Sequence, residues 1–216
     1  MMDAIAPQDA GQPDLVLIRF RERFSAAFGP GKPHVETGDH MLDLQRPSPP
    51  EILKPAAVLI PIIQHEFGAT VLLTQRTATL SAHAGQIAFP GGRVDASDAF
   101  SPLTALREAR EEIGLMSDQV QLLGSMHRYA TGSGYEITPV VGVVQPPLSL
   151  SANPDEVSAI FEVPLEFLMT GSNYQKLELE RNGTKRQAYA IPYKTHYIWG
   201  VTAGILKTLY ESLYPT

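Results

Sequence analysis

Three glutamates, Glu108, Glu111 and Glu112, stand at i, i+3 and i+4 in the run Arg107-Glu108-Ala109-Arg110-Glu111-Glu112-Ile113-Gly114-Leu115. Residues three and four apart share one face of a helix, so the three carboxylates point the same way. Like charges there repel, and a hard divalent cation removes the penalty. Ions such as Mg²⁺ take carboxylate oxygens and complete their shells with water and substrate phosphate. The spacing therefore predicts a metal site for Mg²⁺ or Mn²⁺. Glu108 and Glu112, one turn apart, are its principal ligands, and Glu111 is either a third ligand or a base for a metal-bound water. Arg107 stays protonated and cannot be a base. Its expected role is to orient a catalytic carboxylate through a charge-assisted hydrogen bond. Glutamate and arginine at helical spacing are commonly only a solvated, salt-bridged face. Here the run is joined to Phe89-Pro90-Gly91-Gly92 upstream and to Ile113-Gly114-Leu115 at its end, which a plain surface helix does not require.

Together these residues resemble the Nudix box, the signature of the Nudix hydrolases. In words the box is a glycine, five residues, a glutamate, seven residues, then Arg-Glu-apolar-any-Glu-Glu-any-Gly-apolar. Residues 107–115 match every specified position of the second half. In the first half Asp98 stands six residues after Gly92, in place of glutamate, and eight residues rather than seven separate it from Arg107. The shorter carboxylate and longer loop argue against a direct metal-binding role for Asp98. Upstream, residues 72–92 (LLTQRTATLSAHAGQIAFPGG) are similar to the extended signature of the coenzyme A pyrophosphatase branch. Leu72, Leu73, Thr74, Arg76, His83, Gly85, Gln86, Phe89, Pro90, Gly91 and Gly92 carry the match. Thr77 replaces a serine and keeps the hydroxyl; Ser81 stands where a second arginine is expected and removes a cation. Residues 132–142, 153–157 and 198–203 are similar to later family segments, so the resemblance spans about 56–203.

The resemblance implies an α/β (α+β) fold: a Nudix-type α/β/α sandwich, with a mixed β-sheet between helices and a loop-helix-loop motif on one side. It implies hydrolysis of the pyrophosphate bond of coenzyme A or its derivatives, giving 3′,5′-ADP and 4′-phosphopantetheine or its acyl form. It also implies that the Gly92 carbonyl adds a metal ligand, that Arg76 contacts the ADP phosphates, and that Gly85, Gln86 and Gly91 belong to the substrate-binding segment. Glu156, on an acidic loop, is the alternative base to Glu111, and sequence does not choose between them. The family often forms dimers, so a homodimer is expected. Blander roles stay open: Arg76 paired with a surface carboxylate, His83 as a turn histidine, Glu156 as an ordinary loop carboxylate. Two other functions stay open as well. One is hydrolysis of another nucleoside diphosphate derivative such as ADP-ribose or NADH, which Ser81 favours. The other is a non-catalytic nucleotide-sensing domain, whose expected mark is loss of a helix glutamate; none is lost.

The 216 residues suit one domain with a substantial core, and 44% of them are hydrophobic. A net charge of −6 argues against nucleic acid as the main partner, because a phosphate backbone demands a basic footprint. With no cysteine, disulfides, zinc-thiolate sites and cysteine nucleophiles are excluded. The first residues lack the basic and apolar regions of a signal peptide, and the apolar stretch 56–63 is too short to span a bilayer. A cytoplasmic protein with no membrane partner and a small nucleotide substrate is the expectation.

To position the glutamates, the chain is expected to arrange a tail (1–13, disordered), an N-terminal helix and irregular arm (14–55), and the hydrolase domain (56–216). Asp14 is placed as the cap of a helix ending near Phe28, with Leu15, Ile18 and Phe24 among its apolar residues. Residues 56–63 and 70–74 are expected to pair as strands across a turn near Gly68. Residues 85–90 lead into a Gly91-Gly92 turn, and the motif helix spans 105–113 with Gly114 as left-handed cap. Further strands are expected at 120–126, 135–144 and 157–163, a hairpin at Asn182-Gly183, and a closing helix over 199–213.

Overall fold

The computed structural model describes residues 14–42, 52–79, 83–95, 98, 101–181 and 184–215. The chain runs through α1 (Leu15–Phe28), β1 (Thr37–Gly38), β2 (Lys54–His65), β3 (Gly68–Arg76), β4 (Ile87–Ala88), β5 (Gly91–Arg93), α2 (Ser101–Ile113), β6 (Val120–Ser125) and β7 (Tyr129–Ala130). It continues with β8 (Tyr135–Val144), β9 (Val157–Pro164), α3 (Leu165–Leu168), β10 (Gln175–Arg181), β11 (Thr184–Tyr193), β12 (His196–Trp199) and α4 (Val201–Leu213). Among the described residues, β1–β9 form one mixed sheet and β10–β12 a second, antiparallel one. At the centre of the large sheet β2 runs parallel to β8, from Lys54↔Tyr135 to Ile63↔Val144, and antiparallel to β3 and β5.

Central strand β2 explains its own run of apolar residues. Side chains alternate across a sheet, and a strand covered on both faces needs apolar residues at every position. Ala57, Leu59 and Ile63 face one core with Ala105, Ala109 and Ile113 of α2. Ile60 and Ile62 face the other, with Leu17, Phe20 and Phe24 of α1 and Ile205, Leu206 and Leu209 of α4. The expected mixed-sheet sandwich is therefore the observed fold. The two alanines let α2 lie close against the sheet, which holds its glutamate face at a fixed height above it.

Asp14 caps α1 as expected: its Oδ1 accepts from the N–H groups of Val16 and Leu17 at 2.9 and 3.0 Å. Its Oδ2 also accepts from Ala69 N–H at 2.6 Å, at the start of β3. The buried stripe of α1 is Leu17, Phe20 and Phe24, whereas Leu15 and Ile18 are 60% and 40% exposed. Several elements differ from expectation. The arm 31–55 contains β1, followed by a 3₁₀ turn at Asp39–Leu42. Buried Asp39 fastens that turn by accepting from Tyr129 Oη and Gly132 N–H, both at 2.9 Å. The motif helix starts at Ser101 rather than 105, and Pro102 suits its first turn because that N–H has no helical partner anyway. Gly91 and Gly92 lie in a strand rather than a turn, paired to Val58 and Ala57. The last helix starts at Val201, because Trp199 ends β12 and Gly200 breaks the path at φ 68°. Arg181 pairs with Thr184, the register a two-residue turn requires, although Asn182 and Gly183 themselves lie outside the described residues. So do residues 1–13, expected to be a tail, and Ser81.

Candidate active site

Helix α2 ends at Gly114, whose φ of 71° takes the left-handed cap. The N–H groups of Ser151 and Asn153 then donate to the Ile113 and Glu112 carbonyls at 3.0 and 2.8 Å. The same loop is tied to the end of β3, where Thr77 N–H donates to the Glu156 carbonyl at 3.0 Å. In this way the fold gathers Glu108, Glu111 and Glu112 from α2, Glu156 from the loop before β9, and Arg76 from the end of β3.

Glu112 is the buried member, 2% exposed. Burial pushes its carboxyl up to about 8. Arg76 opposes that, the charges of Glu156 and Glu108 add to it, and a hydrogen bond from Gly91 lowers it again. Its Oε1 lies 3.8 Å from Arg76 Nη1, and its Oε2 is buried with no hydrogen-bond partner. A buried carboxylate oxygen without a partner is costly, and either a proton or a bound cation relieves that cost. Glu108 is also raised by burial, against the lowering effect of Arg107. Its carboxylate lies where a side chain at Gly92 would project, so only glycine lets the β5 backbone approach it. At Gly91 a Cβ would meet the Ala57 carbonyl oxygen at 2.5 Å.

Arg107 joins the cluster to the preceding loop. Its Nη1 lies 3.0 Å from Glu108 Oε1 and 3.1 Å from Glu111 Oε2; its Nη2 lies 3.1 Å from Asp98 Oδ2, 3.5 Å from Asp95 Oδ2 and 3.3 Å from the Arg93 carbonyl. Asp98 also accepts from Thr104 Oγ1 at 2.8 Å and from Asp95 N–H at 3.1 Å. These hydrogen bonds, Arg107 first, hold the Asp98 carboxyl down at about 2, and the same pairing raises the Arg107 guanidinium. Asp98 thus clamps the arginine. Sequence reasoning doubted Asp98 as a metal ligand but did not find this role. Its signal was the shortened carboxylate on a longer loop.

Gly85 and Gln86 sit beside Arg76 on the return to β4. Arg76 N–H donates to the Gln86 carbonyl at 2.9 Å, Gly85 N–H donates to the Thr77 carbonyl at 3.3 Å, and His83 Nδ1 pairs with Gln86 Oε1 at 2.8 Å. Gly85 is at φ 69° and His83 at φ 57°, so a tight left-handed turn shapes this segment. Among the described residues, no three acidic or imidazole side chains are already closed around one point as a cation cage. A cluster of carboxylates with room beside it for water and phosphate is chemistry that suits Mg²⁺ or Mn²⁺ better than a cation that needs an all-protein cage. Within the described residues no helix is long and apolar enough to cross a membrane.

A model of the NUDIX domain matches residues 53–178. A Nudix hydrolase of Photorhabdus laumondii, NudL, is 45% identical over 174 residues, covering 79% of this chain and 92% of that one. NudL of Escherichia coli is 43% identical over 154 residues, 71% and 80% of the two chains. Among solved structures, RenU, a Nudix hydrolase from M. smegmatis, is 27% identical with a TM-score of 0.45, covering 51% of this chain and 70% of that one. With its glutamate helix, its sandwich fold, the domain match and the two NudL relatives, the chain belongs to the Nudix hydrolase family, whose members act on phosphoric anhydride bonds.

Proposed function

We propose that the protein hydrolyses the pyrophosphate of coenzyme A and its derivatives, with Mg²⁺ or Mn²⁺, releasing 3′,5′-ADP and 4′-phosphopantetheine or its acyl form. The observation that carries this reading is the continuity of residues 72–92 with the carboxylate cluster. Arg76 ends β3 beside Glu112, and the chain returns through Gly85 and Gln86 to Gly91 and Gly92, which abut β2 and Glu108. Phosphates held by Arg76 and the Gly91-Gly92 backbone would lie against the helix glutamates. A homodimer belongs to the same reading.

Glu108, Glu112 and the Gly92 carbonyl would hold the cation, with Glu111 as a further ligand. When bound, it neutralises non-bridging phosphate oxygens and acidifies a water. Arg107, clamped by Asp98, keeps Glu108 and Glu111 in fixed orientation. What supports Glu156 over Glu111 as base is its charge environment. Glu111 is held by Arg107, whose Nη1 lies 3.1 Å from its Oε2, whereas Glu156 makes no ion pair among the described residues and lies near Glu108 and Glu112. Arg76 would steady the departing phosphate. Ser81, lacking the expected cation, favours as second reading another nucleoside diphosphate derivative.

Product analysis by mass spectrometry tests both. Coenzyme A, ADP-ribose, NADH and dinucleoside polyphosphates are offered with Mg²⁺ or Mn²⁺ and with EDTA. Appearance of 3′,5′-ADP from coenzyme A, abolished by EDTA, is the expected result. Cleavage of only the other nucleotides overturns the coenzyme assignment, and activity persisting in chelator-treated protein overturns the metal mechanism.

A further inference from the structure

Arg93 follows Gly92 directly, and its backbone belongs to the cluster: its carbonyl accepts from Arg107 Nη2 at 3.3 Å. Its side chain does not. Successive strand residues point to opposite faces. A side chain at Gly92 would fall on the Glu108 carboxylate, so that of Arg93 lies on the other face. There its Nε and Nη2 donate to Tyr135 Oη at 3.1 and 2.6 Å, with the guanidinium carbon 5.4 Å from the ring centroid. Arg93 is exposed and permanently charged, and it makes no ion pair among the described residues. Among the described residues, the acidic side chains near it in sequence or beside Tyr135 are engaged elsewhere. Asp95 and Asp98 lie 3.5 and 3.1 Å from Arg107, and Glu136, next to Tyr135, lies 3.0 Å from Arg128. The result is a planar fork of donors, uncompensated in charge among the described residues and steadied at Nε and Nη2 by a phenol, so that Nη1 is the edge a phosphate oxygen can meet.

We propose that Arg93, positioned by Tyr135, reads a phosphate monoester on the part of the substrate outside the scissile pyrophosphate. The inference rests on the coenzyme A reading and deepens it, since that substrate carries a 3′-phosphate beyond its pyrophosphate. Arg93 supplies from β5 a cation of the kind missing at position 81. Because it sits across the sheet from the glutamates, it sets specificity and takes no part in bond cleavage.

The test is steady-state kinetics of wild type, Arg93→Gln, Arg93→Lys and Tyr135→Phe on coenzyme A and dephospho-coenzyme A. Arg93→Gln is expected to raise KM for coenzyme A by about tenfold to a hundredfold, the range for a hydrogen bond to a charged group. Its kcat, and its KM for dephospho-coenzyme A, stay close to wild type. Arg93→Lys keeps the charge and recovers part of the loss; Tyr135→Phe moves in the same direction as Arg93→Gln by less. Equal effects on both substrates, or a fall in kcat alone, overturn the proposal. If wild type cleaves a different nucleotide and not coenzyme A, that result overturns the coenzyme reading by itself. Inhibition of that cleavage by 3′,5′-ADP and by 5′-AMP then decides Arg93. Tighter inhibition by 3′,5′-ADP that Arg93→Gln removes sustains its role, and equal inhibition overturns it.

Discussion

Replacing Glu112 with glutamine should make the metal-free protein more stable while destroying its activity. Glu112 is 2% exposed and has an unpartnered Oε2. Burial lifts its carboxyl from the ordinary 4.5 to about 8. Between those two values the folded chain holds a proton that the unfolded chain has released, so stability falls as pH rises through this window. Below 4.5 both states are protonated and the penalty is absent. At pH 7 the interval of 2.5 above 4.5, at about 1.4 kcal/mol per unit, amounts to about 3 kcal/mol. Glutamine is nearly isosteric and does not ionise. At about 2–4 °C per kcal/mol for a chain of this size, Glu112→Gln should raise Tm by about 6–12 °C at pH 7 in EDTA, and by little at pH 4.5. A bound divalent cation takes the place of the proton. Added Mg²⁺ should therefore close the gap by raising the Tm of wild type at pH 7–8 and leave the variant unchanged. Thermal melts at half-unit pH steps from 4.5 to 8, with and without Mg²⁺, decide it. Parallel profiles for the two proteins in EDTA, or an equal response to Mg²⁺, would refute the argument that Glu112 is a strained, cation-seeking carboxylate.

Two further outcomes follow from the site. Arg107→Ala, which frees Glu108 and Glu111 from their shared cation, should lower kcat by about 10- to 100-fold, the range for groups that orient metal ligands, with KM changed much less; near-normal kcat in a variant that melts normally would make Arg107 a surface ion pair only. Ser81→Arg should lower KM for coenzyme A by about tenfold to a hundredfold with a smaller effect on kcat, and an unchanged KM would show that no phosphate passes position 81.

The glutamate helix was legible because its evidence is periodic: three carboxylates at spacings of three and four define a face in any context. Strand β2 was legible for the same reason in its apolar run. Asp98 was not, because its role depends on a loop bringing it back onto Arg107, across a sequence interval that no helical or strand period relates. Gly91 and Gly92 suggested a turn by composition. They lie in a strand because β5 must approach both the Ala57 carbonyl and the Glu108 carboxylate, where no Cβ fits. Likewise, Leu15 and Ile18 are as apolar as Leu17 and Phe20, and only the direction from which the sheet meets α1 separates exposed from buried. Arg93 gave no signal, since an arginine in a loop-like stretch is ordinary until its neighbours' charges are seen to be engaged.

The double use of Asp14 has a consequence for where this protein begins as a cooperative unit. The family match starts at residue 53, and every candidate catalytic group lies beyond it. Yet one carboxylate starts α1 and grips the start of β3, and the helix it starts seats Leu17, Phe20 and Phe24 in the core shared with α4. Uncovering three such side chains forfeits about 1.5–3 kcal/mol each, comparable to the whole stability of a typical domain. The segment that the domain match covers is thus smaller than the packed core, and the helix that seats Leu17, Phe20 and Phe24 lies outside that match.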